Sequence, residues 1–167
     1  METAWHVSER AAELRRNFDR SFAEPPSIVK SAIEDLLAIR LRAQHFVVRV
    51  SEIAGLFADK KITRVPGADA SQLGIAGFRG SIVPVYDLQS LLGLSRSETP
   101  RWLVIAAAAP VALAFETFEG QLRVSPDAIR PQQSQSQTHS CTKDFVQTAG
   151  VLRPIVHLPS VLDAIRA

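Results

Sequence analysis

The most informative segment of this chain is GIAGFRGSIVPVYDL, which runs from Gly74 to Leu88. Glycines at 74, 77 and 80 allow a tightly bent backbone that directs its side chains sharply. The residues after Gly80 have the composition of a strand, but Pro84 cannot donate a hydrogen bond to a neighbouring strand. The segment therefore predicts a turn followed by a strand that lies at a sheet edge or beside a bulge.

The segments on either side are also rich in short strands. Alternating apolar residues predict strands at 37–41, 46–50 and 62–65. The apolar run at 102–107 is typical of a strand buried on both faces. Further elements are predicted as strands at 111–115, 121–124 and 151–158 and as a helix at 160–165. Many short strands and few helices indicate a β-barrel or sandwich, and no internal repeat is evident.

The composition is that of an ordinary globular protein, with 167 residues, 46% of them apolar and 22% charged. This length corresponds to about one domain, and the single cysteine, Cys141, cannot form an internal disulfide. No apolar run reaches the roughly 18 residues of a transmembrane helix, and the first residues lack the pattern of a secretory signal. We therefore expect a cytoplasmic protein without direct membrane insertion.

Neither charge nor reactive residues indicate nucleic-acid binding or catalysis. The formal net charge is only +2, and the basic pair Lys60-Lys61 is typical of a solvated turn. His139-Ser140-Cys141 are adjacent in a loop, whereas catalytic dyads usually come from separate elements. The four histidines lack metal-ligand spacing, and the glycine-rich segment lacks the Lys-Ser/Thr of a phosphate loop. The sequence predicts no catalytic residue, no metal site and no cofactor.

The N-terminal region has the pattern of an amphipathic helix. Apolar residues that recur every three or four positions form one stripe along such a helix, here Val7, Ala11, Leu14, Phe18 and Phe22. Two prolines follow and end it. A lone helix of this length is marginal in water, so the stripe packs either on its own domain or on a partner. We predict a helical extension with a Pro-rich linker at 1–30 and a β domain at 31–167.

In its central segment the chain resembles the CheW-like adaptor family of bacterial chemosensory arrays. The family signature is a glycine, an apolar pair, an Asn-Leu-Arg-Gly turn and a strand that ends Pro-apolar-apolar-Asp-Leu. The residues that match at the right spacing are Gly74, Ile75, Arg79, Gly80, Pro84, Asp87 and Leu88. The resemblance extends over about 36–165. It implies a mainly β fold of two packed five-stranded SH3-like β-barrels, here preceded by the N-terminal amphipathic helix.

The resemblance also implies a function. Family members are not enzymes; they couple the cytoplasmic tips of methyl-accepting chemoreceptors to a CheA-type histidine kinase. One barrel surface binds the regulatory domain of the kinase, and a groove between the barrels binds the receptor tip. The chain is expected to be cytoplasmic and to associate with membrane-bound receptor arrays through protein contacts. Nucleic acid is not an expected partner.

The same resemblance suggests which residues matter. The candidate partner-binding residues are Gly55, Leu56, Gly77, Phe78, Arg79 and Gly80, and the structural motif residues are Gly74, Pro84, Asp87 and Leu88. Arg79 either pins its turn through internal hydrogen bonds or presents a rigid contact to a partner. Phe78 is either a core residue or an interface anchor.

Departures from the family pattern leave two other functions open. Gly77 stands where the family has asparagine, and Gly55 stands where the family often has an acid, so only Glu52 remains nearby to pair with Arg79. These changes and the added helix favour a divergent regulatory module that binds another protein or itself through the helix, without receptor coupling. A small-ligand or RNA-binding barrel is favoured only by the basic isoelectric point and the pair Lys60-Lys61.

Overall fold

A computed structural model of the chain describes residues 33–131 and 141–167. The predicted N-terminal helix, with its stripe Val7, Ala11, Leu14, Phe18 and Phe22, lies outside these residues. The predicted boundary between residues 30 and 31 and the pair His139-Ser140 also lie outside them. The fold described below therefore concerns the β domain.

Eleven strands and two α-helices make up the described part of the chain. The strands are β1 (Glu34–Leu41), β2 (Gln44–Arg49), β3 (Ile53–Ala58), β4 (Gln72–Phe78), β5 (Ser81–Asp87), β6 (Trp102–Ala106), β7 (Ala112–Phe115), β8 (Thr117–Val124), β9 (Ile129–Pro131), β10 (Thr142–Thr148) and β11 (Val151–Val156). The helices are α1 (Leu88–Leu91) and α2 (Leu158–Arg166). Most of the strands predicted from alternation are present, but 62–65 makes only an isolated bridge between Thr63 and Ile75.

The strands form two sheets, between which the chain passes twice. The first sheet has the order β8-β1-β2-β11-β10-β9, and the second has the order β3-β6-β7-β5-β4. Each sheet is antiparallel except for one inner parallel pair, which brings Ile155 beside Val47 in the first and Val85 beside Ala112 in the second. Sequence periodicity gives no information about these long-range parallel pairs.

Both sheets curl so that their edges approach each other. In the first, residues 125–128 alone connect β8 at one edge to β9 at the other. In the second, the ring of Phe57 on β3 lies 5.0 Å from the ring of Phe78 on β4, and these are the two edge strands. The predicted mainly β fold of two barrels is confirmed. The first barrel has six strands rather than five because the three-residue β9 adds to its edge.

Strand alternation distributes the apolar side chains among three buried clusters. Leu36 and Ala38 of β1 belong to a cluster inside the first barrel, while Leu37 and Ile39 belong to a cluster shared by both barrels. The strands β2, β5, β6, β7 and β11 divide their side chains in the same way. These strands are buried on both faces over part of their length, and β6 and β7, which are buried on both faces over most of it, are apolar throughout. The shared cluster holds the two barrels together as one hydrophobic core.

An internal repeat is present, contrary to the expectation from the sequence. The unit β4-β5-α1 recurs as β10-β11-α2, and Gly80, Pro84 and Leu88 are matched by Gly150, Pro154 and Leu158. Each helix has an N-cap residue, Asp87 or His157, whose side chain accepts a hydrogen bond from the backbone N–H three residues later. Few identities survive between the copies, so the sequence alone did not reveal the repeat.

Candidate functional site

The motif arginine lies at the tip of the β4–β5 hairpin. Phe78 pairs with Ser81, so Arg79 and Gly80 are the two central residues of the turn. Both have positive φ angles, 47° and 84°, as in the type I′ turn that favours Asn-Gly. An arginine in this left-handed conformation costs about 1 kcal/mol relative to the extended or helical regions. The turn geometry therefore does not explain why position 79 is an arginine.

The guanidinium of Arg79 is exposed, and no residue in 33–131 or 141–167 forms a hydrogen bond or ion pair with it. The expected pairing with Glu52 is wrong. Glu52 Oε2 instead accepts a hydrogen bond of 2.8 Å from the backbone N–H of Leu158 at the start of α2. Glu52 Oε1 lies 3.9 Å from Arg49 Nη1. Of the two interpretations of Arg79, the internal pin has no partner among the described residues, and the contact with another protein stays a prediction.

The residues that flank Arg79 add an apolar contact. Ile82 is 74% exposed and lies opposite Gly77 in the strand register. Gly77 has no positive φ, and no atom lies within 4 Å of the position where a Cβ would stand. The hairpin therefore exposes an isoleucine next to the backbone of Gly77, which no side chain covers. We call Gly77, Arg79, Gly80, Ser81 and Ile82 the hairpin patch.

Ile82 was not identified from the sequence. Alternation along β5 places Val83 and Val85 inside the barrel and Ile82 outside, but an outward isoleucine in an apolar strand resembles a core residue until the fold is known. The one sequence feature that could have identified Ile82 as a surface residue is its position close to the Arg79-Gly80 turn.

Phe78 belongs to the core of the second barrel rather than to this surface. Its side chain is only 4% exposed and packs edge-on against Phe57. Lys60 Nζ lies 5.5 Å from the Phe57 ring centroid and 5.6 Å from that of Phe78, within the range of a cation–π interaction. Of the two interpretations of Phe78, the burial supports the core residue.

Gly55 and Leu56 lie on β3 and have packing roles. A side chain at position 55 would place its Cβ 2.8 Å from the ring of Phe57, so the glycine leaves room for that ring. Leu56 is half-buried and packs against the shared cluster. The structure brings β3 to the hairpin through the contact of Phe57 with Phe78, but the side chain of Leu56 is not an exposed anchor.

The glycine that opens the motif is required by the backbone. Gly74 has a φ of 145°, and a Cβ there would lie 2.1 Å from the carbonyl oxygen of Thr63. Thr63 and Ile75 exchange backbone hydrogen bonds of 2.8 and 2.9 Å, which draws the two segments together. Pro84 lies on an inner strand and not at an edge, but the register of β4 and β5 shifts close to it, between Gln72 and Gly74, as the alternative prediction of a bulge requires. Pairing with β7 begins only at Val85, so no bond to β7 is lost.

Asp87 and Leu88 fix the start of α1. Asp87 is fully buried, and its Oδ2 accepts hydrogen bonds from the backbone N–H and the hydroxyl of Ser90 and from the backbone N–H of Ser97. Leu88 is fully buried in the shared cluster. These two residues therefore have the structural role that the motif implied.

A groove lies between the barrels. One wall is the β1–β2 turn of the first barrel, and the other is the segment that follows α1 of the second barrel. Its cavity volume is about 480 Å³, and the lining residues are Leu41, Arg42, Ala43, Gln44, Gly93, Leu94 and Ser95. We call this the inter-barrel groove. Its lining combines leucines with the exposed guanidinium of Arg42.

Several charged side chains of the first barrel are paired with one another. Arg49 bonds Glu34 at 2.6 Å and Asp144 at 2.8 Å. Burial alone would lower the pKa of Arg49, but these bonds raise it above its ordinary value. Glu119 accepts a 2.6 Å bond from Arg153 and lies 3.0 Å from His45. Burial would raise the pKa of Glu119, yet these two partners lower it.

The remaining reactive groups offer no catalytic geometry in the described residues. Cys141 is buried, and burial raises the pKa of its thiol, which disfavours a thiolate. No group of three or more potential metal ligands occurs in 33–131 and 141–167. Lys60 and Arg64 line a cleft of about 580 Å³ together with Asp69 and Glu98, so its charge is mixed. No helix in the described part of the chain is long and apolar enough to span a membrane.

Comparisons with known proteins agree with this geometry. Residues 35–166 match the family model described as CheW-like domain. A probable chemotaxis protein CheW from Rhizobium etli is 28% identical over 101 residues, and the chemotaxis protein CheW from Rhizobium meliloti is 30% identical over 101 residues. Each match covers 58% of this chain and 65% of the relative, so the aligned part falls just short of two-thirds of either relative.

A solved structure shares the fold. The scaffolding protein TtCheW from Thermoanaerobacter tengcongensis superposes with a TM-score of 0.67 at 18% sequence identity, covering 75% of this chain and 91% of that one. The family match extends over nearly the whole described domain, from β1 to the end of α2. This chain therefore belongs to the CheW-like domain family.

Proposed function

We propose that the chain is a non-catalytic adaptor that couples chemoreceptors to a CheA-type histidine kinase in a bacterial chemotaxis or surface-motility system. The observation that carries this proposal is the hairpin patch. It presents an arginine without a partner among the described residues beside an isoleucine that is 74% exposed. A cytoplasmic protein that uses such a surface would join receptor arrays through protein contacts.

The hairpin patch fits a surface on the regulatory domain of the kinase that combines an apolar side chain with a carboxylate. An apolar side chain of the partner would lie over Gly77 against Ile82, and a carboxylate beside it would pair with Arg79. Glycine at 77 supports this arrangement because neither its φ nor its packing requires glycine. Small apolar surfaces with a charged rim suit weak contacts that repeat within an array.

The inter-barrel groove is the proposed site for the cytoplasmic tip of the receptor. Apolar side chains of the receptor tip would contact Leu94, the partly exposed leucine of the groove, while its carboxylates pair with Arg42. The shared core joins the barrels, so a partner in the groove and a partner on the hairpin patch are held in a fixed relation. A rearrangement of the receptor would then shift the equilibrium between active and inactive kinase.

Isothermal titration calorimetry with the regulatory domain of a CheA-type kinase from the same genome tests this proposal. We expect a dissociation constant in the micromolar range and a loss of binding for Ile82→Asp. The matched control is Leu152→Asp, because Leu152 is 59% exposed at the equivalent position of the β10–β11 hairpin. Failure of the wild-type protein to bind at tens of micromolar, or equal loss in both variants, would contradict the proposed site.

A divergent module that binds through residues 1–30 is the second candidate. The observation that favours it is Gly55, where the ring of Phe57 fills the space of the acid that family members often carry. Deletion of residues 1–30 separates the two functions. If the shortened protein keeps its melting temperature and its kinase affinity but loses another partner, the helix is a second binding arm.

A further inference from the structure

The two walls of the inter-barrel groove belong to different barrels, and one carboxylate bonds to both sides. Glu116 lies between β7 of the second barrel and β8 of the first, where the chain passes from one to the other. Its Oε2 accepts a 3.3 Å hydrogen bond from the backbone N–H of Arg42 in the β1–β2 turn. Its Oε1 accepts a 3.1 Å hydrogen bond from the hydroxyl of Ser97.

The Ser97 side of this bridge is fixed to the motif. Ser97 is only 5% exposed, and its backbone N–H donates a 3.1 Å hydrogen bond to Asp87 Oδ2 at the end of β5. A continuous path of hydrogen bonds therefore runs from Asp87 through Ser97 and Glu116 to Arg42. It connects the end of β5, the strand that begins in the hairpin patch, with one wall of the groove.

The backbone of Arg42, at the other end of the bridge, has an unfavourable conformation. Arg42 has a φ of 55°, a left-handed conformation that is unfavourable for a residue other than glycine or asparagine. Such a residue keeps this conformation only when surrounding contacts hold it. The carboxylate of Glu116 supplies one such contact, and without it the two-residue turn can relax toward other conformations.

We propose that Glu116 is a positioning residue that fastens the β1–β2 turn to the loop after α1 and so sets the width of the inter-barrel groove. The inference rests on the proposed function for the identity of the occupant, but the fastening itself needs no partner. Removal of the carboxylate should widen the distribution of groove widths and lower the fraction of molecules that can bind. Apparent affinity falls in proportion to that fraction.

Distances measured on the isolated full-length protein test the fastening. Spin labels at Ala43→Cys and Ser95→Cys, one on each wall, report the groove width by pulsed electron paramagnetic resonance. Cys141 can remain, because it is buried and a raised thiol pKa slows its labelling. We expect Glu116→Ala to broaden the distance distribution and Glu116→Gln to do so less, since the amide oxygen still accepts the Ser97 hydroxyl. An unchanged distribution in Glu116→Ala overturns the proposal.

The matched control is Glu98→Ala, which removes a carboxylate from the loop after α1, directly next to Ser97. Glu98 is exposed, and within the described residues no hydrogen bond or ion pair to it is formed. We expect this variant to reproduce the wild-type distance distribution. If Glu98→Ala broadens it as much as Glu116→Ala does, the effect is one of loop charge and the positioning role is wrong.

A second measurement separates this inference from the proposed function. Titration with a recombinant cytoplasmic hairpin of a chemoreceptor from the same genome should give about tenfold weaker binding for Glu116→Ala, with kinase affinity unchanged. If the wild type binds no receptor hairpin while Glu116→Ala broadens the distance distribution, receptor coupling is overturned and the fastening stands. A broadened distribution with unchanged receptor affinity overturns the role of Glu116 in binding.

Discussion

Replacement of Arg79 by asparagine should stabilise the protein while weakening its binding to the kinase. Arg79 occupies the first central position of a turn whose φ angles are 47° and 84°, a conformation that costs a residue with a bulky side chain about 1 kcal/mol. Asparagine tolerates this conformation and is favoured before glycine in type I′ turns. We therefore expect Arg79→Asn to raise the free energy of unfolding by about 0.5–1 kcal/mol, or the melting temperature by roughly 1–4 °C.

The effect on binding should have the opposite sign. A hydrogen bond to a charged group contributes about 1.5–3 kcal/mol, and each 1.4 kcal/mol is a tenfold change in the dissociation constant. Loss of a contact between Arg79 and a partner carboxylate should weaken kinase binding about 10- to 150-fold. Calorimetric titration at two salt concentrations measures this, and the affinity difference should shrink as salt rises.

The chain provides a matched control for this variant. Ala149 and Gly150 form the equivalent turn of the β10–β11 hairpin, with φ angles of 49° and 78°. Ala149→Asn should give a similar gain in stability and leave kinase affinity unchanged. If Arg79→Asn alone lowers the free energy of unfolding by more than about 1 kcal/mol, the guanidinium stabilises its own turn. If Arg79→Asn and Ala149→Asn bind the kinase with equal affinity, the assignment of the hairpin patch is refuted.

Four further variants test the packing and the electrostatics of the fold. Gly74→Ala should destabilise the protein by more than about 3 kcal/mol because its Cβ would collide with the Thr63 carbonyl, whereas Gly77→Ala should be neutral or stabilising; equal denaturation midpoints would contradict this. Gln89→Leu should stabilise by about 1–3 kcal/mol, since the fully buried amide of Gln89 has no hydrogen-bond partner in the described residues; a loss of stability would disprove it. Glu119→Gln should destabilise at neutral pH, because the lowered pKa of Glu119 means that its carboxylate contributes stability above its ordinary pKa. That cost should disappear as pH falls below 4.5, the ordinary pKa of a glutamate, and a pH-independent difference in unfolding free energy would count against it.

The fold could be predicted from the sequence to the extent that it depends on local pattern. Alternation located most of the strands, and the apolar run at 102–107 correctly indicated burial on both faces, because β6 places Leu103 inside the second barrel and Val104 between the barrels. The arrangement into two barrels came from the family motif. Parallel pairing of β2 with β11 and of β5 with β7 joins strands far apart in sequence, and local periodicity carries no information about it.

The site could be predicted only in part, for a related reason. The motif identified Arg79, and its turn placed it at an exposed tip. The carboxylate of Glu116 bonds a residue 74 positions away and another 19 positions away, so its role depends entirely on tertiary structure. Ile82 was missed because an outward-facing isoleucine and a core isoleucine have the same pattern in an apolar strand.

The comparison between the two hairpins shows why the function should be sought at Arg79. Both hairpins have the same turn geometry, the same glycine after the central residue and an exposed apolar side chain two residues further on, Ile82 in one and Leu152 in the other. The backbone conformation of the turn is therefore the same at both tips, and Ala149 shows that it does not require an arginine. Arginine at 79 adds a charge that no described residue neutralises, at a position where its backbone conformation is unfavourable. Since folding does not require an arginine at this position, a contact outside the chain is the explanation we propose for it, and this arginine distinguishes the β4–β5 hairpin from the otherwise similar β10–β11 hairpin.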